Sequence, residues 1–332
     1  MLEKVCSGVE YESDEAEYIL TQSVKDSDNK AFEGWEEFAF SLLQKTARLA
    51  TDDNERLMYQ AADEICGRAI NSPYSNWAYE SYALIKLEII KATGGELDVD
   101  EYIKETLEFD IIRRIAVNMA IAAGDYARAE KLCLEKLQTN SDELRHEYSS
   151  PSEWRYLLFE VYDKSGDIEK KIQTAEDLLF RFDTKYYAIL KQLLTEKGVW
   201  ESEYPSLLDG LENSLPYHKY MEILSKENEV PRLFEEVRKY PSSVFDYGKQ
   251  LAVRFSSQTY TICLDVIQKQ ANEADNRIKY KKACALIKKM FDFGGVDETE
   301  SIITEVKAKF PRRPAMLEEL DKTAAWVMKK RK

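Results

Sequence analysis

Three glycines, Gly124, Gly166 and Gly198, each end one amphipathic segment and open the next, and they lie 42 and 32 residues apart. Those spacings are close to the periods of two-helix repeats, in which every hairpin has an apolar face that only the next hairpin can cover. The period is irregular, so the expected fold is all-α: an irregular α-solenoid of stacked antiparallel helical hairpins, tetratricopeptide-like rather than a regular member of that repeat. Only 12 Gly and 8 Pro interrupt 332 residues, and no alternating run of Val or Thr occurs. Strands are not expected anywhere.

The apolar spacing places the helices. Trp35, Phe38, Ala39, Leu42 and Leu49 recur at the three-and-four spacing of one buried face, and Met58, Ala61, Ala62, Ile65 and Ala69 repeat it. Asp52 with Glu55 reads as a capping box for the second of these, and Asn71, Ser72 and Pro73 read as its stop. Helices follow over about 76–92, ending at Gly94 and Gly95, and over about 98–108, 110–123 and 126–138. The third of these four is apolar on most of its circumference, which places it between neighbours. The last turns Ala129, Leu132, Cys133 and Leu137 inward. Ser150, Pro151, Ser152 and Glu153 form the clearest helix start, with Ser150 as N-cap, and the domain junction is placed there. The expected organisation is an acidic lead-in over 1–30, a hairpin region over 31–149 and a tetratricopeptide-like region over 150–332. Pro205 is expected to begin or kink a helix.

Composition narrows the chemistry. A net charge of −14 opposes wholesale binding to a phosphate backbone. The charge is unevenly spread, because residues 277–332 hold 15 Lys or Arg against 8 Asp or Glu, a net of +7, which leaves −21 for residues 1–276. Cys6, Cys66, Cys133, Cys263 and Cys284 are odd in number and dispersed, as in reduced cytosolic proteins. No signal peptide or membrane-spanning run is read, so a soluble cytoplasmic chain is expected. Glu143 and His146 share one helix face at the spacing of di-iron bundles, which need the motif twice, and here it occurs once. His218 has no ligand set either, and no Gly-rich phosphate loop is present. The expectation is a non-enzyme without metal or cofactor.

Candidate partner-binding residues are aromatic or basic. Among 20 Tyr, the clusters Tyr74, Trp77, Tyr79, Tyr82 and Tyr186, Tyr187 suit the gripping of a peptide through large rigid contacts, as does Trp200. Lys279, Lys281, Lys282, Lys288 and Lys289 surround Tyr280 on one helical segment, and with Arg312, Arg313 and the terminal 329–332 they could meet an acidic partner. The expected contact set is Tyr187, Trp200, Tyr280, Lys281, Lys282, Arg312 and Arg313.

The order of features after Trp154 carries a resemblance. A Gly-Asp hairpin precedes Tyr186 and Gly198-Val199-Trp200, then come Pro241, Tyr280 with Leu286-Ile287-Lys288, Gly294-Gly295, and Phe310-Pro311-Arg312-Arg313-Pro314-Ala315-Met316-Leu317. This resembles the helical region that follows the zinc finger in bacterial and archaeal SWIM zinc finger proteins, over roughly 154–320. The closing stretch around Tyr280 and Pro-Arg-Arg-Pro is its strongest element. That family's finger uses Cys-x-Cys followed by Cys-x-His, and no Cys-x-Cys occurs here. The resemblance implies the helical portion alone, with a finger region of the same or a related polypeptide as one partner. The expected function is a protein-interaction scaffold binding a segment on a helical-repeat surface. The alternative is a nucleic-acid accessory role for the basic C-terminal quarter.

Overall fold

The structure, a computed structural model, describes residues 11–32, 34–69, 75–94, 96–139 and 153–331. Among the described residues it is all-helical, with no strand. Several features read from sequence lie outside them: Cys6, the stop at 71–73, Tyr74, Gly95, Glu143 with His146, the start at 150–152, and Lys332.

The chain forms two compact units, Met1–Leu178 and Leu179–Lys332. The first holds α1 (Ser13–Ser27), α2 (Glu36–Thr46), α3 (Glu55–Ala69), α4 (Ser75–Thr93), α5 (Glu96–Glu105), α6 (Asp110–Ala122), α7 (Tyr126–Thr139), α8 (Glu153–Ser165) and most of α9 (Ile168–Phe180). The second holds α10 (Lys185–Lys197), α11 (Trp200–Ser214), α12 (Tyr217–Lys226), α13 (Val230–Lys239), α14 (Val244–Glu273), α15 (Arg277–Asp292), α16 (Val296–Lys309) and α17 (Pro314–Arg331). The junction read at Ser150 differs from this division. Trp154, Leu158, Val161 and Tyr162 of α8 share one core cluster with Val117 of α6 and Leu132 and Cys133 of α7, so the first unit's core continues past it.

Helices pack on the next element and on the next but one: α1 on α2 and α3, α4 on α5 and α6, α15 on α16 and α17. Such contacts make a stack of hairpins. In the closing unit Arg277 at the start of α15 bonds Glu319 at the start of α17, and Lys288 further along α15 lies over Trp326 of α17. The two helices are therefore parallel, with α16 returning between them.

The turns are built by the residues that the sequence marks. Gly124 has φ 74° and Gly198 φ 78°, a left-handed conformation that costs glycine nothing in sterics. At the first, the Asp125 N–H donates to Ala120 O at 2.8 Å, which satisfies a carbonyl at the end of α6. Asp125 then accepts from the Arg128 N–H at 3.0 Å and caps α7, and Asp167 does the same for Lys170 at 3.1 Å. Thus Gly-Asp stops one helix and starts the next.

Three expectations from sequence change. In α2 the buried apolar residues are Ala39, Phe40 and Leu43, whereas Trp35 and Phe38 are 59% and 55% exposed, because α1 and α4 cover the face that holds Phe40. The Asp52 cap is not used. Helix α3 starts at Glu55, and the buried Asn54 bonds back to the Thr51 N–H at 2.8 Å. Of the two roles read for Pro205, beginning a helix does not apply, because it lies inside α11.

Two glycines inside helices have opposite surroundings. A Cβ on Gly248 of α14 would stand 2.4 Å from the Phe293 ring, whereas nothing lies within 4 Å of one on the exposed Gly67 of α3. Gly67→Ala should stabilise by roughly 0.5–1 kcal/mol through helix propensity. Gly248→Ala should destabilise by about 1–3 kcal/mol through overpacking, despite the same propensity gain. Urea denaturation of both variants checks the opposite signs.

Candidate functional site

Helix α6 is too apolar for the partners it has. Ile112, Ala116, Val117 and Ala120 are buried, but Met119 is exposed, so the all-round burial read from sequence is incomplete. The surplus apolar side is the floor of a cleft of about 480 Å³ between α4, α5, α6 and the start of α7. Val99, Ile103, Met119 and Ala120 are among its apolar lining, and Lys91, Asp100, Asp125 and Arg128 are its charged lining.

These charges are unequal in their commitments. Lys91 pairs with Glu88 at 2.8 Å, and Asp125 accepts the Arg128 backbone N–H as a helix cap. The Arg128 guanidinium and the Asp100 carboxylate, both half-buried, have no ion pair among the described residues. An apolar floor with one uncommitted charge of each sign suits a ligand that carries both charges beside an apolar face. None of these residues is among the contact candidates read from the sequence. The available signal was Ala116, Ala120 and Ala123 at three-and-four spacing, small side chains that leave room above one helix face.

The seven residues expected to contact a partner separate into three groups. Tyr187 and Trp200 come together with ring centroids 6.2 Å apart, but both are buried. Lys191 donates to Glu227 at 2.8 and 2.6 Å and lies 5.2 Å from the Trp200 ring, while the Tyr204 ring packs tilted against Trp200 with centroids 4.7 Å apart and its hydroxyl donates to Glu229 at 3.1 Å. Burial, and then the Glu227 charge, push the Tyr187 hydroxyl pKa well up. This cluster ties α10 and α11 to the α12–α13 turn. Tyr280 is also buried, inside the α15 core face.

Arg313 is committed as well. Its guanidinium donates to Ala274 O at 2.7 Å just beyond α14 and lies 4.2 Å from the Phe310 ring. A cation on the orphan carbonyls of a helix end is favourable on both hydrogen-bonding and dipole grounds. Lys281, Lys282 and Arg312 remain, exposed and with no ion pair among the described residues.

No group of three or more His, Cys, Asp or Glu side chains is placed to hold a metal ion among the described residues. Burial raises the thiol pKa of Cys133 and of Cys263 to about 12. No described helix is long and apolar enough to cross a membrane.

Arg313→Ala should destabilise by about 1.5–3 kcal/mol, the range for hydrogen bonds made by a charged group, whereas Arg312→Ala should stay within about 0.5 kcal/mol. Thermal unfolding of the pair checks this. Native-state titration with a disulfide reagent should leave Cys66, Cys133, Cys263 and Cys284, all buried, unreacted until denaturant is added. No protein family matches the chain, and neither a curated protein nor a solved structure matches it.

Proposed function

We propose that the chain is a non-enzymatic interaction scaffold that binds a protein segment in the α4–α7 cleft. The supporting observation is the apolar floor at Val99, Ile103 and Met119 beside the uncommitted Arg128 and Asp100. Grooves between helices accept the apolar face of an amphipathic segment, and flanking charges set its register. The resemblance to the helical region of SWIM zinc finger proteins adds a finger region of the same or a related polypeptide as one such segment.

The second reading, a nucleic-acid accessory module, has Lys281, Lys282 and Arg312 in its favour. It is weakened by how many neighbouring cations are already engaged. Arg277 and Lys322 bond Glu318 and Glu319, Lys279 bonds Asp275, and Lys307 bonds Asp321.

Selection from a displayed peptide library tests the first reading. Enriched peptides should lose about tenfold in affinity, about 1.4 kcal/mol, for Met119→Glu and for Arg128→Glu, and keep it for Trp35→Ala. Equal binding to all three variants, or no enrichment, removes the cleft as the site.

A further inference from the structure

The charge asymmetry coincides with the division into units. Residues 1–178 carry a net −18 and residues 179–332 a net +4, together the −14 of the chain. The first unit exposes an aromatic patch and the second an isoleucine, each beside charge of its unit's own sign that has no ion pair among the described residues.

In the first unit the patch is aromatic. Phe32 stacks on Phe38 with centroids 6.5 Å apart, and Trp35 lies 6.2 Å from Phe38, with Trp35 and Phe38 more than half exposed. Glu36 and Glu37 occupy the first turn of α2 within the same stretch, and neither has an ion pair among the described residues. In the second unit Ile278 is 71% exposed on α15. Lys281 and Lys282, three and four residues on, share its helix face. Arg312 belongs to the same end of α15, because its neighbour Arg313 is tied to Ala274, two residues before the α15 N-cap Asn276.

We infer that the chain self-associates, with the Ile278–Lys281–Lys282 face of one copy docking on the Trp35–Phe38–Glu36–Glu37 face of another. Lysine ammonium groups over exposed Trp and Phe rings gain cation–π attraction, and the two glutamates add opposite charge. The opposite signs of the two units steer the encounter. Both patches are small, so the complex is weak and sensitive to salt. Met328 beside Lys329 is a poorer candidate, because Lys330 already lies over Trp326 and Arg331 bonds Glu300.

Sedimentation velocity over the micromolar range tests this with designed charge reversals. The weight-average sedimentation coefficient should rise with concentration at about 50 mM salt and stay flat at about 500 mM. K281E/K282E alone and E36K/E37K alone should each weaken association at least tenfold. An equimolar mixture of the two should restore it, because each reversed face then meets a complementary one, and restoration also shows that both variants are folded. A parent that stays monomeric at low salt, variants that associate like the parent, or a mixture that fails to recover would each overturn the inference. None of these outcomes bears on peptide binding in the cleft.

Discussion

A two-helix reversal leaves the apolar stripes of both helices on one side, and only another helix can cover them. That requirement organises both units. It explains why helices touch the next element and the next but one, and why the first unit's core runs from α6 and α7 into α8 without a break. Hydrophobic burial supplies the driving force, and the left-handed turn at Gly124 or Gly198 fixes which faces meet.

Once helices are stacked, their polar residues have to be satisfied between layers, and the tyrosines do much of this. Tyr162 donates to Glu130, which also takes Lys170, so one carboxylate joins α7, α8 and α9. Tyr82 reaches Asp63 from α4 to α3, and Tyr204 reaches Glu229. Each ring buries apolar area while its hydroxyl finds an acceptor at the edge of the layer. Burial first and the neighbouring carboxylate second raise these hydroxyl pKa values, which keeps them neutral donors near pH 7. Part of the tyrosine content thus serves layer-to-layer ties.

Surface features that stacking does not consume remain open for binding. The α4–α7 cleft exists because α6 carries small residues where a neighbour could have packed. The exposed patches at Trp35–Phe38 and Ile278–Lys282 exist because those side chains lie outside the faces used for stacking. Arg313 and Trp200 illustrate the converse, since the residue types that suit recognition also suit helix capping and interlayer packing.

By itself the sequence determined the class of fold, the boundaries of α4 to α7 within a few residues, and the Gly-Asp reversals. These depend on local backbone preference and apolar periodicity, which are properties of neighbouring residues. Tertiary structure alone decided which side of an amphipathic helix is covered. Phe38 and Phe40 are equally apolar and two residues apart, yet α2 turns Phe40 inward and leaves Phe38 in water. It also decided which charges remain free. Lys281, Arg312 and Arg313 look alike in the sequence, but only Arg313 meets the carbonyl beyond the end of α14. Both outcomes depend on contacts between residues about forty positions apart, and a local pattern holds no information about which distant group will arrive there.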